Sequence, residues 1–359
     1  MKILVLTEDY PNNDGGVTLM YVHTRNIYYL EHGIEVDNLS FSAKNEYKID
    51  GIRVINLDIF EKEKKQYDLL ILHAANIRHH YKFLKKHGNE FGKFMFFYHG
   101  HEVLKIHNVY SKPYPYVHEN KLKIFAQNIY DDYKLEIWRH YLPKVIEKSW
   151  FVFVSKWMLE EFEKWTKISR RSLEGHYTIT YNCVGKEFEQ ETFDINQLKQ
   201  YDFITIRGNI DGSKYSVDLV NEMAQKTPKG RFLLIGKGKY FEHNKKADNL
   251  EWWNKTLSHD EIIEILNKSR FALMPTRTDA QGLMMCEMAA FGIPVITSDI
   301  PVCHEVFDGF KNVYYISNEK IQSLDTFLPM KDRCCKDNRY YRNTTVEKEY
   351  KTIYKLLER

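Results

Sequence analysis

The stretch "MPTRTDAQGLMMCEMAAFGIPVITSD", Met274 to Asp299, decides the fold. It opens as the end of a buried strand, "FALMP" (Phe271–Pro275), and closes as the start of another, "PVITSD" (Pro294–Asp299). Between them the pattern predicts a helix with its first turn at about Gln281–Met284. That helix runs to Phe291 and stops at Gly292, with Pro294 beyond it. Strands that are near-continuously apolar are buried on both faces, as in a parallel sheet covered by helices.

Two acidic residues stand in this unit, Asp279 before the helix and Glu287 within it. A helix N-terminus presents free N–H groups and positive potential, so its tip, Gly282, Leu283 and Met284, suits a phosphate. Gly282 lets the phosphate approach the backbone closely. Glu287, over a turn deeper, can accept hydrogen bonds from two vicinal hydroxyls, as on a ribose. Asp279 can reach hydroxyls of a second sugar ring. A diphosphate with a sugar on either side is a nucleotide-diphospho-sugar.

The same alternation extends along the whole chain. Strand-like runs occupy Lys2–Leu6, Glu35–Phe41, Arg53–Leu57, Asp68–Ala74, Lys93–His99, Trp150–Ser155 and His176–Asn182. A second series covers Asp202–Gly208, Arg231–Gly236, Asn249–Trp253, Phe271–Pro275, Pro294–Asp299 and Val313–Ser317. The expected fold is α/β, with two doubly wound Rossmann-like domains, residues 1–184 and 185–340. A C-terminal amphipathic helix over 341–359, with Tyr350, Ile353, Tyr354 and Leu357 on its apolar face, is expected to pack back on the first domain.

The chain has 359 residues, a net charge of +3 and 28% charged residues, which does not demand nucleic acid as a partner. Its five cysteines form no CxxC pair, and an odd count without a secretory signal reads as reduced thiols. "MKILVLTEDYP" is too short in its apolar run for a signal peptide, and no run approaches the ~18 residues of a membrane span. The expected location is cytoplasmic, with peripheral attachment to the inner face of the membrane left open.

Here the sequence resembles a known family, the retaining glycosyltransferases of the two-Rossmann GT-B architecture, family four. Their hallmark is P-[ST]-x-x-E-G-x-G-x-x-x-x-E-A-M-A-x-G-x-P-V-[IV]. This chain offers Pro275, Thr276, Asp279, Gly282, Glu287, Met288, Ala289, Gly292, Pro294 and Val295. It departs at Asp279, where Glu is usual, and at Ala280 and Gln281, where Gly-Phe is typical, so the motif is D-x7-E. "IRGNIDGSKYSVDLV" (Ile206–Val220) resembles "GRLxxxKGxDLL", with Arg207 and Lys214 on its two basic positions and Tyr215 for Gly. "YNCVGKEF" (Tyr181–Phe188) resembles "PNGVDxxxF", "LLIGKG" (Leu233–Gly238) resembles "LxIVGxG", and "FVFVSKWMLEEF" (Phe151–Phe162) resembles the family's "SxxxxxxL" helix start. "DGGV" (Asp14–Val17) resembles its early glycine loop, and "FFYHGHE" (Phe96–Glu102) its strand-end histidine, matched by His99.

The resemblance implies two domains facing across a cleft and a hexosyl-type transfer with retention. The sugar comes from a UDP- or GDP-linked donor and goes to a glycan or lipid-linked acceptor in cell-surface polysaccharide synthesis. It implies catalytic roles for His99, Asp279, Arg207 and Lys214, and donor contacts from Gly15, Gly16, Gly282, Leu283, Met284 and Glu287. His101 and Glu102 fall on the acceptor side. Cationic side chains and a helix N-terminus can stabilise the departing diphosphate without a metal, and no Asp-x-Asp motif is present. No cofactor is expected beyond the nucleotide-sugar itself.

Plainer readings stand beside these. His99 can be a satisfied strand-end histidine, His101 a residue that only backs the site, Glu102 a structural carboxylate, Arg207 and Lys214 surface charges, and Gly15 and Gly16 an ordinary loop. "GKGKYF" (Gly236–Phe241) lacks the third glycine of a dinucleotide fingerprint, which disfavours a dehydrogenase. "NIRHHYKFLKKHGNEFGK" (Asn76–Lys93), read as a helix, joins Arg78, Lys82, Lys85 and Lys86 to an apolar stripe suited to an anionic membrane; a solvated face is the alternative. "KIHNVYSKPYPYVHENKLKIF" (Lys105–Phe125) reads as an acceptor-side loop or a structural insertion. A nucleotide-sugar epimerase of similar architecture, or a catalytically silent subunit supporting a partner enzyme, are the rival functions.

Overall fold

The computed structural model describes residues 1–15, 18–118 and 120–358. Residue packing divides the chain into two compact units. The first comprises Met1–Ile106, Ala126–Cys183 and Arg342–Arg359; the second comprises His107–Phe125 and Val184–Tyr341.

The first unit holds β1 (Lys2–Thr7), β2 (Glu35–Ser40), β3 (Tyr47–Ile49), β4 (Ile52–Ile55), β5 (Leu69–His73), β6 (Phe94–Tyr98), β7 (Ser149–Phe153) and β8 (Tyr177–Ile179). They form one sheet in the order β3-β4-β2-β1-β5-β6-β7-β8. All neighbours are parallel except β3 and β4, which pair antiparallel around the two-residue turn Asp50-Gly51. Both turn residues have positive φ, 47° and 86°, as a hairpin with matching twist requires. The sequence reading did not include β3, although Asp-Gly is its signal.

The second unit holds β9 (Tyr201–Asn209), β10 (Phe232–Lys237), β11 (Leu250–Trp253), β12 (Ser269–Met274), β13 (Val295–Ser298) and β14 (Val313–Ile316). Its sheet runs β11-β10-β9-β12-β13-β14 and is parallel throughout. The chain therefore reverses direction across the sheet at β1/β5 in one unit and at β9/β12 in the other. In open α/β sheets such switch points leave a crevice at the carboxyl ends of the strands, where ligands bind. Gly236 follows from this packing: a Cβ there would lie 2.4 Å from the Arg207 carbonyl oxygen, so only glycine lets β10 close on β9.

Two sequence expectations need correction. Residues His107–Phe125 cluster with the second unit, not with the rest of 1–184. Tyr114 Oη donates to Asp218 Oδ1 at 2.9 Å and Tyr116 Oη to Asp211 Oδ1 at 2.7 Å, while the Ser111 and Ser213 hydroxyls meet at 2.8 Å. The segment is thus bound on the unit that carries Lys214.

The terminal helix spans Arg342–Leu357, and its fully buried face is Val346, Glu349, Ile353 and Leu356; Tyr350 and Leu357 pack half-buried against the same core, and of the four expected apolar positions only Tyr354 is exposed. Val346, Ile353 and Leu356 join the first unit's core beside Val22 and Tyr29 of helix Met20–Glu31. The register is centred on a charge, Glu349, which accepts from Arg25 Nε at 3.0 Å with both residues fully buried.

Candidate active site

At the switch point of the second unit, helix Leu283–Phe291 begins at Gly282, whose φ is +72°. That positive φ is what favours glycine here, since the nearest atom to a Cβ on Gly282, Met285 Cε, is the movable end of a flexible side chain. The helix has no side-chain cap, and its Leu283 and Met284 residues are partly exposed. Their N–H groups are among those a helix start leaves without an internal partner. Gly292, at φ +103°, ends the helix as the sequence pattern anticipates.

Glu287 lies one turn inside, 5% exposed. Burial pushes its carboxyl up to about 7, against the opposing pull of His259 and of the Gly185 backbone N–H, which donates to it. A carboxylate has about four acceptor positions, so this backbone bond leaves capacity for further donors. His259 itself is paired through Nδ1 with Glu187 at 3.0 Å. The sequence reading did not single out His259, Glu187 or the Gly185 N–H as neighbours of Glu287, because they come from segments distant in the chain.

Asp279 is partly buried in the loop before Gly282, and its Oδ1 accepts from Ala280 N at 2.8 Å and Gln281 N at 3.4 Å. One oxygen therefore shapes the approach to the helix. Arg207, near the end of β9, donates from Nη2 to the Pro275 carbonyl at 2.6 Å and is 6% exposed. Burial pulls its guanidinium below its ordinary range, with Asp279 the largest opposing influence. The Lys214 carbonyl accepts from Thr276 Oγ1 at 3.1 Å and Arg277 N at 2.9 Å, which joins the post-β9 loop to the post-β12 loop. Arg207, Lys214, Asp279 and the helix tip are thus held by one pair of loops at β9/β12.

Tyr215, which stands where the family pattern has glycine, takes part in this arrangement. Its ring centroid is 5.3 Å from Arg207 Cζ and 4.7 Å from Lys214 Nζ. Tyr110 of the docked 107–125 segment lies 5.3 Å from the same ammonium. Lys214 makes no ion pair among the described residues; aromatic faces and not a carboxylate flank its charge.

In the first unit, His99 follows β6. The backbone N–H groups of His99 and Gly100 both donate to Glu102, the second at 3.0 Å. Glu102 is 4% exposed with both oxygens engaged, so its visible role is to hold this turn. Buried Lys134 donates to the His101 and Leu104 carbonyls at 2.8 Å each and pairs with Asp131 at 2.7 Å, fixing the loop that follows. His101 is exposed. The His99 ring packs 4.7 Å from Tyr21, and its Nε2 meets His73 Nδ1 at 3.1 Å. Gly15 is exposed with φ +87°; Gly16 lies outside the described residues.

The basic segment is corrected in extent: only His80–His87 is α-helical, followed by a short 3-10 turn, Gly88–Glu90. Phe83 and Leu84 are buried, so they offer no apolar stripe to a membrane. Arg78, Lys82, Lys85 and Lys86 are exposed; Lys86 pairs with Glu61 at 2.7 Å, and Arg78 stacks 5.6 Å from the Tyr130 ring. Four exposed apolar side chains lie on helix Lys121–Tyr141, where Leu122, Phe125, Ile129 and Tyr133 are 76%, 64%, 54% and 62% exposed. Among the described residues no helix is long and apolar enough to cross a membrane, and no cluster of His, Cys, Asp and Glu could hold a metal ion.

Residues 203–325 match the family described as Glycosyl transferases group 1. A stretch of 59 residues is 39% identical to the O-antigen biosynthesis glycosyltransferase WclY of Escherichia coli, covering 16% of this chain and 17% of that protein's length. Among solved structures, sucrose-phosphate synthase from Thermosynechococcus elongatus superposes with a TM-score of 0.72 at 12% identity, over 99% of each chain. The Anabaena protein HepE, in complex with UDP and glucose, gives 0.66 at 12% identity over 99% of this chain and 100% of its own. The fold is GT-B: two doubly wound, parallel-sheet Rossmann-like domains.

Proposed function

We propose that the protein is a retaining, metal-independent glycosyltransferase. It moves a sugar from a nucleotide-diphospho-sugar, held by the second unit, to a glycan or lipid-linked acceptor in cell-surface polysaccharide synthesis. The observation that carries this reading is the β9/β12 switch point. An uncapped helix start behind Gly282, the cations Arg207 and Lys214, and a buried carboxylate one turn inside answer to a diphosphate and a ribose. The group 1 family match spans this region, and the O-antigen relative and the UDP-bound HepE support the substrate class.

In the reaction the bond between the anomeric carbon and the β-phosphate oxygen breaks, and its electron pair leaves with the diphosphate. The acceptor oxygen bonds to that carbon from the same face, and its proton passes to the departing phosphate. Lys214, Arg207 and the helix N–H groups stabilise the charge that develops. Asp279 Oδ2 and His99 are assigned to the transferred sugar.

The test is a panel of UDP- and GDP-sugars with glycan and lipid-linked acceptors, scoring nucleoside diphosphate release and the anomeric configuration of the product. A new glycosidic bond of retained configuration is the expected result, with turnover unchanged in excess chelator. Epimerised donor with no transfer supports the epimerase, and no donor consumption supports a silent subunit. Activity lost to chelator and restored by magnesium or manganese overturns metal independence.

Peripheral attachment to the inner membrane face is part of the proposal. Exposed Arg78, Lys82 and Lys85 supply charge, and the exposed apolar residues of helix Lys121–Tyr141 supply insertion. With each basic residue worth about 1 kcal/mol near an anionic surface at low salt, Lys82, Lys85 and Lys86 to Glu together should abolish pelleting with phosphatidylglycerol vesicles. Turnover of a short soluble acceptor should persist. A wild type that never pellets, even at low salt, makes this a solvated face.

A further inference from the structure

His73 was not singled out by its sequence context, yet it is the sole side-chain hydrogen-bond partner of His99 among the described residues. It ends β5, next to β6 in the parallel sheet, with His73 registered against Phe97. Its ring stacks 4.2 Å from Phe97, which fixes its plane, and is 1% exposed. Its Nδ1 is 3.1 Å from His99 Nε2, and its other nitrogen, Nε2, is buried without a partner.

Both imidazoles are held neutral. Burial is the first cause, and the positive charge of Arg25 adds to it for each. Two neutral rings can place only one proton on their shared contact. If His99 Nε2 carries it, the remaining His73 proton sits on Nε2, as a buried donor with no acceptor. If His73 Nδ1 carries it, His73 Nε2 is a bare lone pair. Arg25, whose Nη2 is itself a buried donor without a partner, creates positive potential at this ring. That potential favours the lone pair and disfavours a second N–H.

The geometry points to His73 as a positioning residue that donates from Nδ1 to His99 Nε2 and so fixes His99 as its Nδ1–H tautomer. His99 then offers a neutral N–H donor at Nδ1 to a hydroxyl of the bound sugar. The use of that donor rests on the glycosyltransferase reading; the tautomer does not.

Long-range 1H–15N correlation on the 15N-histidine-labelled full chain reads the tautomer without substrate, with His99→Gln identifying the resonance. In the wild type His99 Nε2 should appear unprotonated and Nδ1 protonated. His73→Phe should shift His99 toward the Nε2–H form and lower kcat about tenfold, the loss of one hydrogen bond, with donor KM little changed. His73→Asn, which places an amide donor near the position of Nδ1, should restore both. A protonated Nε2 on wild-type His99, or an unchanged His99 tautomer in folded His73→Phe, overturns the inference even if transfer is observed. The predicted tautomer in a protein that transfers no sugar leaves the inference standing and removes the proposed function.

Discussion

Lys214→Ala should turn over a nucleotide-sugar about 100- to 1,000-fold more slowly than the wild type, the usual effect of removing one preorganised donor from a developing anion. The ammonium is partly buried, with the Tyr215 ring 4.7 Å and the Tyr110 ring 5.3 Å away. An aromatic face steers a cation without neutralising it. The charge therefore remains available, and in the proposed reaction it matters most when the bond between the sugar and the diphosphate is breaking. Steady-state kinetics should place the loss mainly in kcat, with circular dichroism unchanged. Lys214→Arg keeps the charge but alters its geometry and should recover only part of the rate. A loss confined to KM would mean that Lys214 binds donor and transition state equally.

Glu349→Ala should cost about 3–5 kcal/mol of stability, the range for removing one partner of a buried ion pair. Arg25 Nε contacts both Glu349 oxygens at 3.0 Å, Tyr29 Oη donates to Glu349 at 2.8 Å, and Arg25 Nη1 holds the Tyr21 carbonyl at 3.0 Å. Without Glu349 a guanidinium stays fully buried with no counter-charge. Urea denaturation of the full chain measures this. A loss below about 1 kcal/mol would mean that Arg25 finds water or another anion, contrary to the fully buried pair and its usual cost. Tyr21 also packs on His99, so this pair ties the terminal helix to the histidine pair at the ends of β5 and β6.

Most strands were legible as buried apolar runs between turn residues, and the half-buried Tyr177–Ile179 and Val313–Ile316 by their β-branched and aromatic residues. The exception was Tyr47–Ile49, too short and too polar to show periodicity, although Asp50-Gly51 marks its turn. The apolar face of the last helix was legible at Tyr350, Ile353 and Leu357 but extended to exposed Tyr354, and its centre was missed because Glu349 occupies a core position and hydrophobic spacing skips a charge. The docking of residues 107–125 was not legible either: Tyr114 and Tyr116 meet partners 104 and 95 positions away, and nothing local encodes such pairs. In the candidate site, Gly282 and Glu287 stand out by spacing within one helix. The rings around Lys214, the Gly185 N–H on Glu287 and the His73 contact depend on tertiary proximity, so motif reading could not reach them.

Calorimetric titration of wild type and Glu287→Gln with UDP and with GDP, at pH 6 and pH 8, tests the donor site most directly. Burial has raised the Glu287 carboxyl to about 7, so its proton must leave before the carboxylate can accept two ribose hydroxyls. Wild-type affinity for one of the diphosphates should therefore rise through this window, by about tenfold from pH 6 to pH 8 beyond any change in Glu287→Gln. At pH 8 the variant should bind at least about tenfold more weakly, since hydrogen bonds to a charged group contribute roughly 1.5–3 kcal/mol. Equal affinities with the same pH dependence in both proteins, or no binding of either diphosphate by the wild type at millimolar concentration, would contradict a nucleotide held by Glu287.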